Sequence, residues 1–482
     1  MILDLKPYPT MKDSGLPWLG KVPEHWEMRR IRNTVEMRVS NIDKHTKDGE
    51  LAVRLCNYVD VYNTNFITEH LPFMRATATK EEIGRFRLES GDVLITKDSE
   101  AWNDIGVPAM VKYTAEDLVC GYHLALLRPR AGLLNGAYLL RALQSPSVAY
   151  QFHVAANGVT RYGLSHDAIK SVFLPVPHLP EQDAIVSFLD HYDRKIRRYI
   201  RAKQKMIKLL VEQKQVIIHH AVTRGLDPNV SLKPSGLTWI EQIPEHWSTS
   251  RLARLTSKIG DGLHGTPQYV DESHYHFING NNLLRGKVQI TQSTRCVCED
   301  EYEKYKIHLD ETTILLSING TIGNVANYDG ESIILGKSAA YINCGNKLSR
   351  HYLFFLLQSP EVGNLLRREA TGTTILNLSL ESIRHFPVLL PSLAEQAKIA
   401  FALEHETARF RELICKVELD IERLREYRTR LISDVVTGKL DVRGLDIPAA
   451  DAEAPEECGD LQDIETALED QEMVEEIPAE GD

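Results

Sequence analysis

The segment SGLPWLGKVPEHW at residues 14–26 recurs as SGLTWIEQIPEHW at residues 235–247, with eight of thirteen positions identical. Agreement of this length does not arise by chance, and an internal repeat has to be recognised before any fold is assigned. The segment is therefore the opening motif of two related halves.

A second match extends the repeat toward the C-terminus. YLLRALQSP at 138–146 corresponds to YLFFLLQSP at 352–360, and the offset of 214 still holds between Val222 and Val436. Between the PEHW and QSP anchors, the two halves differ in sequence and by seven residues in length. A shared frame with divergent centres favours one scaffold that presents two different recognition surfaces.

The local patterns predict an α+β fold. The variable regions contain short β-branched runs, such as 92–96 and 313–317, which are broken by glycine and asparagine as in strands joined by turns. Ser165 and Ser379 are candidate N-caps of short helices. Each half then ends in about 40 residues without proline or glycine, which at about 1.5 Å per residue form a helix of roughly 60 Å.

Each long helix has a seam with the heptad spacing of 4, 3, 4, 3 that coiled coils use. The seam of the first helix is Ile185, Leu189, Tyr192, Ile196, Tyr199, Lys203, Met206, Leu210, Gln213 and Ile217, and that of the second is Ile399, Leu403, Glu406, Phe410, Leu413, Val417, Asp420, Leu424, Tyr427 and Leu431. Polar residues weaken both seams, so we expect the helices to pair with each other. An antiparallel coiled coil would separate two mixed α/β domains and give internal pseudo-two-fold symmetry.

The repeat also predicts the domain boundaries. These are recognition domain 1 at 14–180, long helix 1 at 181–225, a linker at 226–234, recognition domain 2 at 235–394, long helix 2 at 395–437 and a disordered acidic tail at 446–482.

The formal net charge of -11 is concentrated in that tail. Residues 446–482 hold 15 of the 67 acidic residues and none of the 56 basic ones, so 56 basic residues face 52 acidic ones in the rest of the chain. The body is thus mildly basic, which is compatible with nucleic-acid binding without proving it. The tail either solvates the protein or mimics DNA and limits non-specific binding.

Several classes of protein are disfavoured. No run of 18 apolar residues and no apolar signal-peptide region occurs, so we expect a cytoplasmic protein with no membrane contact. The seven cysteines are scattered, and Cys296 and Cys298 lack a second ligand pair, so we predict no metal site.

Catalytic and cofactor motifs are also missing. Gly260, Gly262 and Gly265 form a GxGxxG, but the residues from Thr266 onward continue as an extended loop where a dinucleotide site needs a helix. Gly336-Lys337-Ser338 is similar to the end of a P-loop, yet its first glycine is misplaced by one residue. The sequence has no Pro-Pro pair for an adenine-methylation motif and no nuclease constellation. We predict no catalytic residue and no cofactor in this chain.

Loops of the variable regions carry side chains that can contact DNA. Arg and Lys can bond to guanine, Asn and Gln to adenine, and Ser and Thr to phosphates. For any single Asn or Thr, the alternative is that the side chain stabilises its own turn. The candidates in the first half are Lys97, Ser99, Trp102, Asn103, Tyr122, His123, Thr160, Arg161 and Tyr162. Those in the second half are His264, Thr266, Gln268, Tyr269, Asn281, Asn282, Asn319, Thr321, Lys337, Ser338, Thr373 and Thr374.

Together these features resemble the specificity subunits of type I restriction-modification systems. The resemblance covers residues 14 to about 445, and it rests on the duplicated opening motifs and the paired LPEQ and LAEQ helices. Further matching segments are VCGYHLALLRP at 119–129, DGLHGTPQY at 261–269, LLSINGTIGNVA at 315–326 and GKSAAYI at 336–342.

The resemblance implies a non-catalytic subunit. Each recognition domain would bind one half of an asymmetric bipartite site in double-stranded DNA, and the coiled coil would fix the length of the unspecified spacer. The implied partners are two modification subunits that bind S-adenosylmethionine and methylate adenine, with two restriction subunits that use ATP and Mg as a further option. Partner contacts are expected on the PEHW segments and the long helices.

Two other classes stay open. One is a methyltransferase or nuclease with divergent motifs. The other is a structural or anti-restriction protein that occupies partner subunits without binding DNA, for which the acidic tail is the only support in the sequence.

Overall fold

The computed structural model describes residues 5–372 and 375–445, and these residues group into two compact units. Unit 1 consists of residues 5–202 with 419–445, and unit 2 consists of 203–418. Each unit combines β-sheets with helices, so the predicted α+β class is confirmed. The predicted acidic tail at 446–482 and the candidates Thr373 and Thr374 lie outside the described residues.

Unit 1 contains two main sheets. Its strands are β1 (Met11–Asp13), β2 (Lys21–Pro23), β3 (Glu27–Arg30), β4 (Val35–Val39), β5 (Leu51–Cys56), β6 (Phe66–Ile67), β7 (Met74–Ala78), β8 (Val93–Thr96), β9 (Asp98–Ser99), β10 (Pro108–Val111), β11 (Leu118–Cys120), β12 (Leu124–Pro129), β13 (Tyr162–Gly163) and β14 (Phe173–Val176). A five-stranded sheet has the order β4-β12-β8-β10-β6, and a three-stranded sheet has the order β11-β5-β7. Two-stranded pairs join β1 to β2, β9 to β13 and β3 to β14.

The helices of unit 1 follow the polar and apolar pattern of the chain. They are α1 (Ile31–Thr34), α2 (Tyr58–Tyr62), α3 (Lys80–Phe86), α4 (Gly136–Gln144), α5 (Pro146–Ala155), α6 (His166–Ser171) and the first part of α7 (Leu179–Arg224). Strand β8 lies at the centre of the larger sheet because Val93, Leu94 and Ile95 are all fully buried. Ser165 caps α6 by accepting a hydrogen bond from the Ala168 amide, as the sequence predicted.

Unit 2 contains a six-stranded sheet with the order β18-β27-β24-β25-β22-β21 and a four-stranded sheet with the order β19-β23-β20-β26. Its strands are β15 (Leu232–Pro234), β16 (Gln242–Pro244), β17 (Ser248–Arg251), β18 (Thr256–Asp261), β19 (Tyr269–Val270), β20 (Tyr275–Ile278), β21 (Leu283–Leu284), β22 (Gly286–Val288), β23 (Cys296–Val297), β24 (Thr313–Ser317), β25 (Val325–Asn327), β26 (Ile333–Leu335), β27 (Ala339–Cys344) and β28 (Pro387–Leu390). Two further pairs join β15 to β16 and β17 to β28.

The helices of unit 2 are α8 (Glu299–Tyr305), α9 (Arg350–Leu357), α10 (Pro360–Glu369), α11 (Leu380–His385) and the first part of α12 (Leu393–Val436). Short 3-10 turns occupy Leu252–Arg254 and Gly280–Asn282. The last part of α12 belongs to unit 1, and the last part of α7 belongs to unit 2. Ser379 caps α11 by accepting a hydrogen bond from the Ser382 amide, as predicted.

The glutamine of the repeated EQ pair anchors the start of α7 in unit 1. The Gln182 side chain donates hydrogen bonds to the carbonyls of Leu133 and Pro177, both at 2.9 Å, and accepts one from the Asn135 amide at 2.8 Å. Gln182 is fully buried, so these bonds satisfy a side-chain amide that water cannot reach.

Unit 2 repeats this arrangement at the start of α12. The Gln396 side chain donates to the carbonyls of Lys347 and Pro391, at 3.1 and 3.0 Å, and accepts from the Ser349 amide at 2.8 Å. The duplicated sequence segments therefore form the same local structure in both units, including the individual hydrogen bonds of the glutamine.

The burial pattern of α7 differs from the heptad prediction. Tyr199 and Met206 of the predicted seam are 53% and 46% exposed, whereas their neighbours Ile200 and Ile207 are buried. Buried isoleucines of α7 recur every 11 residues, at 185, 196, 207 and 218, which corresponds to about 3.67 residues per turn in place of the 3.5 of a heptad seam. In α12 the predicted seam residues Leu403, Val417 and Leu431 are buried.

Neither the long helices nor any other helix in the described ranges has both the length and the apolar character that crossing a membrane requires.

Candidate nucleic-acid interface

Both units place a short glycine hairpin against the loop that follows a buried central strand. In unit 1, Asn157 and Gly163 exchange two backbone hydrogen bonds, and β13 pairs with β9 immediately after β8. In unit 2, Thr371 and Asn377 exchange the same two bonds, and Asn377 bridges to Asn319 immediately after β24. The backbone arrangement is thus shared, while the side chains that it presents differ between the units.

A glycine is required inside each hairpin. Gly158 has φ +155° and Gly372 has φ +129°. A Cβ atom at Gly158 would lie 2.0 Å from the Arg161 carbonyl oxygen, and one at Gly372 would lie 2.1 Å from that of Ile375. The hairpins can close this tightly only because no side chain is present.

The unit 1 surface is centred on Asp98. His123 Nδ1 lies 2.7 Å from Asp98 Oδ2, and Lys97 Nζ lies 3.4 Å from the same oxygen. Arg161 Nη2 on the hairpin lies 3.4 Å from His123 Nδ1, and Lys97 Nζ lies 5.3 Å from the centroid of the Tyr122 ring. Two cationic groups and one carboxylate are thereby held side by side on paired loops.

The other candidates in unit 1 flank this cluster. Tyr162 is the register partner of the buried Ser99 in the pair of β13 with β9. Trp102 is 50% exposed and makes an edge contact with the His153 ring, with the centroids 6.3 Å apart. Asn103 and Thr160 are exposed, on the loop after β9 and on the hairpin respectively.

Sequence reasoning missed two tyrosines beside this cluster. Tyr58 and Tyr62 stack on α2 with ring centroids 5.4 Å apart. The Tyr62 hydroxyl donates to Asp104 Oδ2 at 2.7 Å, and this bond with burial raises the pKa of Tyr62 to about 12. Burial also raises the pKa of Tyr58, on which the charges of Asp104 and Arg161 act. Only the folded chain brings α2 to loops some 40 residues away.

In unit 2 a cleft of about 240 Å³ opens beside the hairpin. It is lined by Asp261, His264, Ile318, Asn319, Lys337, Asn377, Leu378, Ser379 and Leu380. His264 Nε2 lies 2.7 Å from Asp261 Oδ2, and Lys337 is exposed. Three predicted residues, His264, Asn319 and Lys337, therefore meet at one place. Asp261, Asn377 and Ser379 are additional polar residues of the cleft that the sequence analysis did not select as DNA-contacting candidates.

Two candidates in unit 2 stabilise a turn with their side chains. Ser338 Oγ donates to Asn279 Oδ1 at 3.0 Å and accepts from the Gly280 amide at 2.8 Å. Asn282 Oδ1 accepts from the Asn279 amide at 2.9 Å, and its Nδ2 donates to the Gln289 carbonyl at 3.3 Å. These partners occupy the polar atoms that base contact would require.

Tyr269 begins strand β19 of the four-stranded sheet, and Gln268 directly precedes it. The Gln268 backbone N–H donates a hydrogen bond to Glu301 Oε2 of α8 at 3.2 Å. The Arg295 guanidinium lies 4.7 Å from the centroid of the Tyr269 ring, whose edge meets Phe277 at 5.8 Å. The negative charge of Glu301 beside Gln268 disfavours the approach of DNA phosphates to this residue.

The remaining candidates in unit 2 are scattered. Thr266 and Asn281 are exposed and do not line the cleft. The Thr321 carbonyl accepts a hydrogen bond from the Ser317 hydroxyl within the loop after β24. Within residues 5–372 and 375–445, no three His, Cys, Asp or Glu side chains form a group that could hold a metal ion.

The sequence matches the family described as the type I restriction modification DNA specificity domain over residues 23–208 and 246–422. The chain therefore belongs to this family, as the opening motifs and the EQ helices indicated.

Named relatives agree with this assignment, and a solved structure has a similar fold. The chain is 22% identical over 439 residues to the type I restriction enzyme MjaVIII specificity subunit of Methanocaldococcus jannaschii, covering 88% of this chain and 95% of the relative. It is 23% identical over 443 residues to the StySPI specificity subunit of Salmonella potsdam, covering 87% and 90%. A chain solved for the complex assembly and conformational transition of the type I R-M system has a similar fold, with a TM-score of 0.64, 15% identity and coverage of 87% and 99%.

Proposed function

We propose that this chain supplies DNA sequence specificity to a type I restriction-modification complex, with unit 1 and unit 2 each binding one half of a bipartite site. The supporting observation is the repeated geometry of hairpin and loop, which carries different side chains in the two units. A protein that only occupied partner subunits would have no need for two different polar surfaces on one frame.

The two surfaces suit different base edges. In unit 1, Arg161 and Lys97 offer donors for guanine O6 and N7 or for phosphates, and Asp98 offers an acceptor for an exocyclic amino group. In unit 2, Asn319 and Asn377 line the cleft and can each bond to adenine N6 and N7, beside the cationic Lys337. The two half-sites should therefore differ in sequence.

The remaining parts of the chain would serve assembly. In this proposal, α7 and α12 pair as an antiparallel coiled coil that sets the spacer, and the PEHW segments with these helices contact two modification subunits. Those subunits would bind S-adenosylmethionine and methylate adenine, and two restriction subunits would supply ATP- and Mg-dependent cleavage in a complete enzyme. This chain itself would make and break no bond.

The test is co-expression with candidate modification subunits followed by genome-wide mapping of methylated adenine. We expect a bipartite methylated motif that disappears when this chain is omitted. A stable complex without any motif would favour a protein that only occupies its partners. Methylation by the isolated chain with S-adenosylmethionine would instead establish an enzyme.

A further inference from the structure

The middle of α7 is strongly basic. From Arg194 to Lys208 it contains eight basic residues and no acidic one. The corresponding stretch of α12, residues 408–422, contains three basic and four acidic residues. The two helices correspond in the repeat, from the EQ pair at their start to Val222 and Val436 near their end. The excess of basic residues is therefore present in only one of the two copies.

Three of these residues lie on one face of the helix. Arg194, Arg198 and Arg201 are spaced by four and three residues, which places them on the same side, and all three are exposed. The same spacing continues along α7 at Lys205 and Lys208, which are also exposed. We call Arg194, Arg198 and Arg201 the arginine face.

The arginine face has no acidic partner in the described part of the chain. By contrast, Arg197 points inward and bonds to the buried Asp193 at 2.8 Å. Successive arginines of the face are about 4.5–6 Å apart along the axis, so their charges repel one another. Such a face is best neutralised by a polyanion with closely spaced charges.

We propose that the arginine face binds phosphates of the DNA between the two half-sites, without sequence preference. This proposal rests on the proposed function, because it requires a duplex that continues from one half-site to the other. Each strand of B-DNA presents a phosphate about every 3.4 Å along the axis, and guanidinium groups bind phosphates through two parallel hydrogen bonds.

A nucleic acid fits this face better than a protein partner does. Protein interfaces have an apolar centre with a polar rim, whereas the arginine face and the two lysines that continue its spacing along α7 are all cationic. A bound duplex would also account for the absence of acidic residues from Arg194 to Lys208, since carboxylates there would repel phosphates.

The first test compares Arg194→Gln/Arg198→Gln/Arg201→Gln with the wild type, each assembled with the modification subunits. Affinity for the mapped site is measured against salt concentration. Each lost phosphate contact should make the negative slope of log affinity against log salt shallower by about 0.9. The loss should be equal for all spacer sequences, and the methylated motif should not change.

The matched control is Arg409→Gln/Arg423→Gln/Arg430→Gln, which removes the same charge from exposed positions on α12. It should leave the slope close to that of the wild type. An equal loss of salt dependence in both variants would overturn the proposal, because it would reflect the change in net charge alone.

The second test neutralises the DNA instead of the protein. Methylphosphonate linkages in the spacer should weaken binding of the wild type and have little further effect on the triple arginine variant. Additive losses would overturn the proposal, and so would failure of a folded triple variant to assemble with modification subunits, which would assign the face to a protein contact. Failure of the proposed function is distinguishable, because the wild-type complex would then have no methylated motif.

Discussion

The Trp26 indole donates a hydrogen bond from Nε1 to Glu181 Oε1 at 3.0 Å, across 155 residues of sequence. Trp247 and Glu395 make the same bond at 3.0 Å in unit 2. The last residue of each opening motif is thereby fixed to the start of a long helix. In each unit, the opening motif and the repeated EQ pair are therefore partners in the folded protein.

Removing the carboxylate should destabilise unit 1 more than unit 2. Glu181 is only 8% exposed and also accepts from the Tyr8 hydroxyl at 2.7 Å, whereas Glu395 is 26% exposed. Glu181→Ala leaves two buried donors without an acceptor and should cost about 3 kcal/mol, while Glu395→Ala should cost about 1 kcal/mol. Urea unfolding followed by hydrogen exchange would assign each loss to its unit, and equal losses would contradict the argument.

Unit 1 contains a buried ion cluster at the long helices. Asp193 is 6% exposed and contacts the guanidinium groups of Arg428, Arg141 and Arg197. The position of Asp193 in the repeat is occupied by Thr407 in unit 2. The duplicated frames therefore use different chemistry at the same point of the long helices.

Asp193→Asn should be strongly destabilising because it leaves several arginines without their shared counter-charge. We expect a loss of about 3 kcal/mol in the free energy of unfolding of unit 1. The matched control is Asp190→Asn, since Asp190 also bonds to Arg141, at 2.7 Å, but is 37% exposed. Chemical denaturation should give a smaller loss for the control, and equal losses would argue against a role for burial.

The same carboxylate predicts a pH dependence. Burial by itself would raise the pKa of Asp193, but the charges of Arg428, Arg141 and Arg197 outweigh burial and lower the pKa to about 2. A folded-state pKa below the unfolded value gives stability that is fully present above about pH 4 and is lost as the pH falls toward about 2. The stability difference between wild type and Asp193→Asn should therefore shrink over this range by about 2 kcal/mol. Unfolding would be measured as a function of pH. A stability difference between wild type and Asp193→Asn that stayed constant over this range would contradict the prediction.

The sequence predicts the features of the fold that depend on the internal repeat or on neighbouring residues better than those that depend on packing between distant segments. The repeat predicts which residues correspond, and the cap of α6 at Ser165 follows from local chemistry. The seam of α7 was only partly predicted, because seven- and eleven-residue repeats share Ile185, Leu189 and Ile196 but place different residues inward between and beyond them. With polar residues in both seams, composition does not separate these periods.

The candidate sites show the same division. His123 and Arg161 lie 38 residues apart and were both selected, because their loops are rich in side chains that can contact DNA. Ser338 and Asn282 were selected on the same ground, yet the structure uses their polar atoms inside a turn. Tyr58 was missed because it becomes a neighbour of these loops only through tertiary packing.

Independent binding by the two units predicts that damage to one surface affects one half-site only. Arg161→Gln should weaken binding about 10- to 100-fold and relax the bases of one half of the methylated motif, because a lost bidentate base contact costs about 1–3 kcal/mol. Lys337→Gln should act on the other half alone. The exposed residues Arg130 and Lys347 lie in units 1 and 2, so Arg130→Gln and Lys347→Gln are charge-matched controls that should leave both halves unchanged. Because the two surfaces share no residue, the free-energy losses of Arg161→Gln and Lys337→Gln should add in the double variant.

Competition binding with DNA substituted in one half-site at a time would measure the affinity and the base preference of each variant. Relaxation of both halves by either single variant would mean that the units do not bind independently.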